Sequence, residues 1–397
     1  MKFGTFYEHQ LPRPWVEGGE QKLFQDALDQ VELADRLGID HMWEVEHHFL
    51  EEYAHSSAPE IFLAACSQRT KQIRLGHGIV LLPAGYNHPA RVAERIATLD
   101  LVSNGRVEFG TGESSAELEL GGFRIPRADK RDMWLESLGA IARMFVEDPF
   151  LGHKGKYFEM PVRNVVPKPV QKPHPPLWVA CSRRETIHLA AKLGIGALTF
   201  AFVSPEEARQ WVNDYYTTLE NECEPIGYAI NPNIAIVTGF MADENAEKAR
   251  LAGEEGLRFF SYALAHHYVF GKHEPGKTDI WKNYKASPMS VPGMDGSNSC
   301  VGTPDHIRNR LREYEEAGVD QVVFISQAGN NKHEDICASL DLFANKVMPE
   351  FKEREEKRAA QKAAKLAPIL EKAMKRKPAP SIPKSEGPTI VQAGMLP

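Results

Sequence analysis

Arg36-Leu37-Gly38-Ile39-Asp40-His41-Met42-Trp43-Glu44-Val45-Glu46-His47-His48-Phe49 is the stretch on which the reading of both fold and function turns. Upstream of it Leu23, Phe24, Ala27, Leu28, Val31, Leu33 and Ala34 recur at helical spacing, and Gly38 is placed to end that helix. The short apolar run that follows reads as a buried strand, and two carboxylates and two imidazoles crowd its C-terminal end. Titratable residues at that end of a strand in an α/β protein face a ligand. A histidine pair alone is more often hydrogen-bonded loop structure, but the flanking Glu44 and Glu46 turn the reading toward chemistry.

The same alternation continues along the chain. Strand-like runs fall at 3–6, 41–45, 73–80, 107–111, 177–180, 197–202, 234–241 and 321–326. Helical periods fall at 21–37, 58–67, 90–102, 133–146, 185–193, 205–221, 245–253, 303–317 and 334–347. Strands separated by helices in this way favour a parallel sheet closed on itself, a (β/α)8 TIM barrel of the α/β class. An open doubly wound sheet would carry a Gly-x-Gly-x-x-Gly turn after its first strand, and Tyr7-Glu8-His9-Gln10 holds none.

The barrel is expected to span 1–350, with insertions at about 151–176 and 256–300. The first insertion contains Pro161, Pro167, Pro169, Pro173, Pro175 and Pro176 and reads as a stiff, irregular strap. The second opens with the aromatic run from Phe259 to Phe270, either a substrate-facing lid or a seal over the barrel mouth or a dimer surface. Residues 351–397 change to Lys, Arg, Glu and Ala and then to proline, giving a charged C-terminal helix and an extended tail. That helix is expected to pack on a neighbouring subunit and to take no part in catalysis.

Composition narrows the function. A charged fraction of 25%, a hydrophobic fraction of 42% and a net charge of -7 are those of an ordinary globular protein and argue against nucleic acid as a partner. Five scattered cysteines with no CxxC pair suggest neither a disulfide framework nor a zinc knuckle, so a reducing cytoplasm is the expected location. The N-terminus lacks a signal-like pattern and no run of 18 apolar residues occurs, so neither export nor a membrane span is expected.

The segment around His47, followed in order by Gly76-His77-Gly78-Ile79-Val80-Leu81-Leu82-Pro83, Asn87-His88-Pro89 and Gly105-Arg106-Val107-Glu108-Phe109-Gly110-Thr111-Gly112, resembles the bacterial luciferase-like flavin-dependent monooxygenase family. The resemblance runs to about residue 349. It implies a two-component enzyme in which reduced FMN from a separate NAD(P)H:flavin reductase, together with O2, oxygenates a small organic substrate through a flavin peroxide. It also implies a homodimer or homotetramer. The absence of a nicotinamide fingerprint agrees with a separate reductase. A deazaflavin-dependent oxidoreductase shares the same barrel and is the nearest alternative. A non-catalytic flavin carrier and a metal-dependent barrel hydrolase are further ones; the hydrolase would use His47, His48 and Glu46, but it wants a His-x-His on the first strand, which is missing, so no stoichiometric metal is expected.

Candidate site residues follow. His47 matches the family's catalytic histidine, with His48 as second candidate, and Glu44 and Glu46 are expected to set the imidazole tautomer and raise its basicity. For the phosphate, Ala180-Cys181-Ser182-Arg183-Arg184 and Thr186 leave a strand and open a helix, presenting N–H groups, hydroxyls and guanidiniums to an anion. By resemblance this is the phosphate loop. Gly78, Ile79, Val80, Leu81 and Leu82 are expected to line the ring slot, with Asn87 nearby. Family members often carry a phosphate-binding arginine where this chain has Glu113; either Arg183 or Arg184 substitutes, or Glu113 meets substrate or ribityl hydroxyls. Gly112 stands where true luciferases have a reactive cysteine, so aldehyde-driven light emission is not expected. Phe259, Phe260, Tyr262, His266 and His267 are the substrate candidates and point to an apolar or ring-bearing molecule.

Overall fold

The strands of the computed structural model, which describes residues 1–199, 202–286, 299–380 and 382, are β1 (Lys2–Tyr7), β2 (His41–Val45), β3 (Arg74–Leu81), β4 (Val107–Gly112), β5 (His153–Lys154), β6 (Glu159–Met160), β7 (Leu177–Cys181), β8 (Gly196–Thr199), β9 (Ile234–Ala242), β10 (Cys300–Gly302) and β11 (Gln321–Ile325). Parallel pairing runs β11-β1-β2-β3-β4-β7-β8-β9, and β9 returns to β11, closing an eight-stranded barrel. Every strand read from the sequence is in it, although residues 200 and 201 of the 197–202 run lie outside the described residues. β10 adds to the outside of β9, and β5 with β6 forms a small antiparallel hairpin within the proline strap.

The barrel interior is filled by large side chains set over glycines. Trp43 pairs across β2 and β3 with Gly76, where an added Cβ would come within 2.3 Å of the indole. Trp178 pairs likewise with Gly196, where the approach would be 2.4 Å. The two indoles meet edge to face at 5.3 Å, and Trp178 Nε1 donates to Glu108 at 2.7 Å. Glu108 is also paired with Arg74, so the charges inside the barrel floor are matched. Around this plug an inner apolar cluster includes Phe6, Val45, Val237 and Val323, while an outer cluster joins the strands to the helices.

β3 carries a bulge. Its register with β2 shifts after Glu44 and its register with β4 shifts between Gly76 and Val80. One extra residue reverses which face each later side chain takes. Ile79 therefore pairs with inward-facing Val45, whereas Val80 and Leu82 join the outer cluster against the helices. The expectation that the run from Gly78 to Leu82 lines the ring slot therefore fails for Val80 and Leu82, whose side chains face the helices. Gly110 permits the bulge, because a Cβ there would lie 1.9 Å from the His77 carbonyl oxygen.

One helix boundary moves. The helix expected at 245–253 runs over Ala246–Ala265 and continues as a π turn, His266–Phe270, so the insertion at 256–300 begins inside that helix. Phe259, Phe260 and Ala263 share a helical period, which the aromatic density had masked. Residues 287–298 of this insertion lie outside the described residues, as do 381 and 383–397 of the tail. The charged helix Met348–Met374 packs on its own barrel, across the N-terminal ends of the strands. Lys352 binds Asp40, Lys362 binds Asp320 and Asn233, and Phe351 is fully buried against Phe3 with ring centroids 5.6 Å apart. A cleft of about 1070 Å³ remains between this helix and the barrel floor. Among the described residues no helix is long and apolar enough to cross a membrane.

Phe351→Ala should lower unfolding stability by about 3–5 kcal/mol in urea titration, as expected for truncating a buried aromatic. A loss below about 1 kcal/mol would show that the helix is not packed as described.

Candidate active site

Because all eight barrel strands are parallel, their C-terminal ends share one rim, where ligands bind in folds of this kind. Backbone strain collects there. His9 after β1, Phe49 and Glu52 after β2, and Ser114 after β4 all have φ between 52° and 66°, conformations that non-glycine residues rarely adopt.

His47 follows β2 at this rim. Its Nδ1 is 2.9 Å from Glu119 Oε1, and its Nε2 is 3.6 Å from Glu8 Oε2. Glu119 also accepts from the Ser114 hydroxyl and from the backbone N–H of His48 at 3.0 Å. Glu8 accepts from the Tyr53 hydroxyl at 2.8 Å, while its other oxygen is buried without a hydrogen bond. Burial opposes a charged imidazole, but the Glu119 and Glu8 carboxylates outweigh it and raise the pKa of His47 to about 9. Burial pushes Glu8 up to about 7, against the pull of His47. For Glu119 burial is overcome by His47 beside it, and the carboxyl is held below the ordinary range. At neutral pH the site therefore holds an imidazolium between an ionised Glu119 and a Glu8 poised to exchange a proton.

Glu8 and Glu119, the true partners of His47, were not read from the sequence. Glu8 obeys the same rule that drew attention to His47, since it directly follows β1; Glu119 sits in the short helix Glu117–Gly122 and gave no such signal. Glu44, by contrast, turns to the other face of β2 and meets His9 Nε2 at 2.9 Å, so it does not bias His47. Glu46 holds His48 Nε2 at 3.0 Å and accepts from Leu81 N at 2.8 Å, tying β2 to the end of β3. Asn87 donates to Glu46 and to the Leu81 carbonyl and accepts from Arg95, which uses its whole amide within the protein.

The candidate phosphate loop lies where β7 ends. Ser182 and Arg183 are exposed, Thr186 is half-buried with its N–H bonded to the Arg183 carbonyl at 3.0 Å, and the helix Arg184–Leu193 begins without a side-chain cap, leaving the Arg184 and Glu185 N–H groups available. Arg184 is paired with Asp214, whereas Arg183 has no partner among the described residues. Ala180 is half-buried, and Cys181 is buried in the outer cluster, so only its backbone belongs to the loop. Glu113, after Gly112, is clamped by Lys130 at 3.0 Å and by Arg131 through two bonds of 2.8 and 2.9 Å. That Lys-Arg pair opens the helix Lys130–Val146, and Arg131 lies near enough to Cys181 to counter in part the rise that burial imposes on its thiol. One carboxylate against two cations leaves positive charge beside the loop.

Of the substrate candidates, Phe260 faces Tyr53 at 5.5 Å, and His267 lies 6.2 Å from the same ring. Phe259 and Tyr262 pack instead against Tyr284 of the helix Ile280–Ala286. Tyr268, which the sequence reading did not single out, stacks edge-on to His47 at 6.4 Å.

A luciferase-like monooxygenase family model matches residues 1–321. The chain belongs to that family. It is 26% identical to the oxygenase component of flavin-dependent trigonelline monooxygenase from Acinetobacter baylyi, over 89% of this chain and 96% of that one. It is 32% identical to 4-hydroxyprotoasukamycin monooxygenase from Streptomyces nodosus subsp. asukaensis, over 88% and 92%. The crystal structure of monooxygenase RslO1 from Streptomyces bottropensis superposes with a TM-score of 0.73 at 25% identity, covering 88% of this chain and all of that one. An F420-dependent secondary alcohol dehydrogenase shares the fold, with a TM-score of 0.67 at 20% identity over 87% and 98% of the two chains.

Glu119→Gln should drop the His47 pKa from about 9 toward the ordinary imidazole value of about 6.5, read by NMR titration of the ring. An unmoved titration would mean that Glu119 does not stabilise the imidazolium.

Proposed function

We propose that this protein is a flavin-dependent monooxygenase that takes reduced FMN from a separate NAD(P)H:flavin reductase and, with O2, adds one oxygen atom to a small apolar or ring-bearing organic substrate. The observation that carries the reading is the charged His47 between Glu8 and Glu119, on the same rim as an uncapped helix N-terminus flanked by basic residues. The monooxygenase activities of the two relatives named above support it.

The residues present fit FMN. Ser182, Thr186, Arg183 and the first N–H groups of the helix Arg184–Leu193 would hold the phosphate, with Lys130 and Arg131 supplying charge past Glu113. The bulge at Gly78 and Ile79, for which Gly110 and Gly112 make room by admitting the His77 carbonyl and the Ile79 side chain, would set the shape of the slot beside which a flat ring lies. Reduced flavin, when bound, supplies the two electrons with which one atom of O2 enters the substrate and the other leaves as water.

The protein's own part is to place protons and exclude water. His47 Nδ1–H is spent on Glu119, which fixes the ring. Its Nε2–H is too far from Glu8, at 3.6 Å, for a good hydrogen bond and is left to a reacting oxygen. Glu8 can return that proton, and Tyr53 holds Glu8 in place. His48 is held by Glu46 and serves as support for the loop. Phe260, Tyr268 and Tyr53 form the apolar side of the mouth.

Purified protein mixed with photoreduced FMN and air should alter the course of flavin reoxidation; a trace identical to that of free reduced FMN, with every candidate substrate, would overturn the reading. Parallel titrations with FMN and a deazaflavin separate the two cofactor classes. His47→Gln should cut turnover by about 10²–10⁴-fold while leaving flavin binding intact. In the unaltered enzyme the required imidazolium is present below its pKa and lost above it, so turnover should fall tenfold per pH unit above about 9. The His47→Gln profile should lack that limb.

A further inference from the structure

Beyond the flavin chemistry, the geometry points to a three-histidine site for a divalent late first-row ion of the Zn²⁺ class, formed by His266, His267 and His273 beside the rim. One ring nitrogen from each histidine lies within 4.8 Å of the other two. His266 Nε2, His267 Nδ1 and both nitrogens of His273 are buried without a hydrogen-bond partner. Buried polar atoms are nearly always satisfied, so three imidazoles with orphaned nitrogens, one from each ring within 4.8 Å of the others, call for a shared acceptor of one lone pair apiece.

The surroundings prepare these rings as ligands. His267 Nε2 is 3.1 Å from the backbone carbonyl of Glu51, which can only accept, so the proton sits on Nε2 and the Nδ1 lone pair is free. A metal-bound histidine characteristically gives its second N–H to such a carbonyl. For His266 the fixing element is Gly271, where a Cβ would stand 2.4 Å from Nδ1, so that side of the ring is closed by backbone and Nε2 looks into the cluster. The π turn His266–Phe270 is what brings two successive histidines, with ring centroids 5.2 Å apart, to one site. His273 returns to within 5.6 and 5.1 Å of them.

An all-imidazole set suits Zn²⁺, Co²⁺, Ni²⁺ or Cu²⁺ rather than Mg²⁺ or Ca²⁺. Tetrahedral bonds of about 2.0–2.1 Å put ligand nitrogens roughly 3.4 Å apart, so the three rings close by about 1 Å on binding. Glu51 adds negative charge beside the cluster, its Oε1 lying 3.9 Å from His273 Nε2 and fixed by the Gly276 N–H at 2.8 Å. A bound ion would tie the π turn to the loop that carries His47, setting how firmly the aromatic segment closes on the mouth. The expectation of no metal was drawn from His47, His48 and Glu46; this cluster lies on a different segment.

The test uses the full-length, tag-free chain stripped with chelator and titrated with Co²⁺ and Zn²⁺. About one Co²⁺ per chain should bind, with the intense visible bands of a four- or five-coordinate ion, and Zn²⁺ should displace it and raise the melting temperature. His267→Gln and His273→Gln, which nearly keep side-chain volume, should each weaken binding by about tenfold or more while their metal-free melting curves match the parent. An unaltered chain that takes up no ion, or that binds Co²⁺ only with the weak bands of six-coordinate surface binding, overturns the proposal. So does an ion held equally well by both variants. The unaltered chain's spectrum decides the matter even if a variant fails to fold, and no readout depends on turnover.

Discussion

Closure of the parallel barrel is the constraint on which everything else rests. Once β9 pairs with both β8 and β11, no strand edge is left among the eight, and each strand delivers its following residues to a single rim. Closure also obliges the interior to be filled, and the chain does so by setting Trp43 over Gly76 and Trp178 over Gly196. The matched large and small residues make a solid floor between the two poles of the barrel. Below that floor, the helix Met348–Met374 covers the opposite pole with its own chain's aromatic and ionic contacts.

On the rim the electrostatics are those of a proton-handling site. Two buried carboxylates face one imidazole, and the low-dielectric surroundings that penalise each charge alone reward them together. The result is a histidine charged at neutral pH beside an acid whose pKa lies near 7. Groups balanced in this way can give and take a proton at little cost.

Much of this was legible beforehand because it is local. Helix periods, Gly38 as a stop and the apolar runs placed every barrel strand, and His47 stood out by its position after β2. The candidate phosphate loop was visible as a strand running into a helix through Ser182. What escaped depended on partners distant in the chain. Glu119 is 72 residues from His47, and the Lys130-Arg131 clamp on Glu113 is 17 and 18 residues away from it. The bulge in β3 overturned the facing of Val80 and Leu82 because it arises from the fit of β3 against both neighbours, with Gly110 making room.

By itself, then, the amino-acid sequence determined the element order, the barrel class and the address of His47 at the end of β2, since each is written in spacing and composition within a few residues. Tertiary structure alone decided which acids charge that histidine, which way the β3 side chains face, and that His266, His267 and His273 meet. Those outcomes are set by where separate strands and turns come to lie in space, and pair electrostatics and packing act over a few ångströms regardless of the length of chain between the partners.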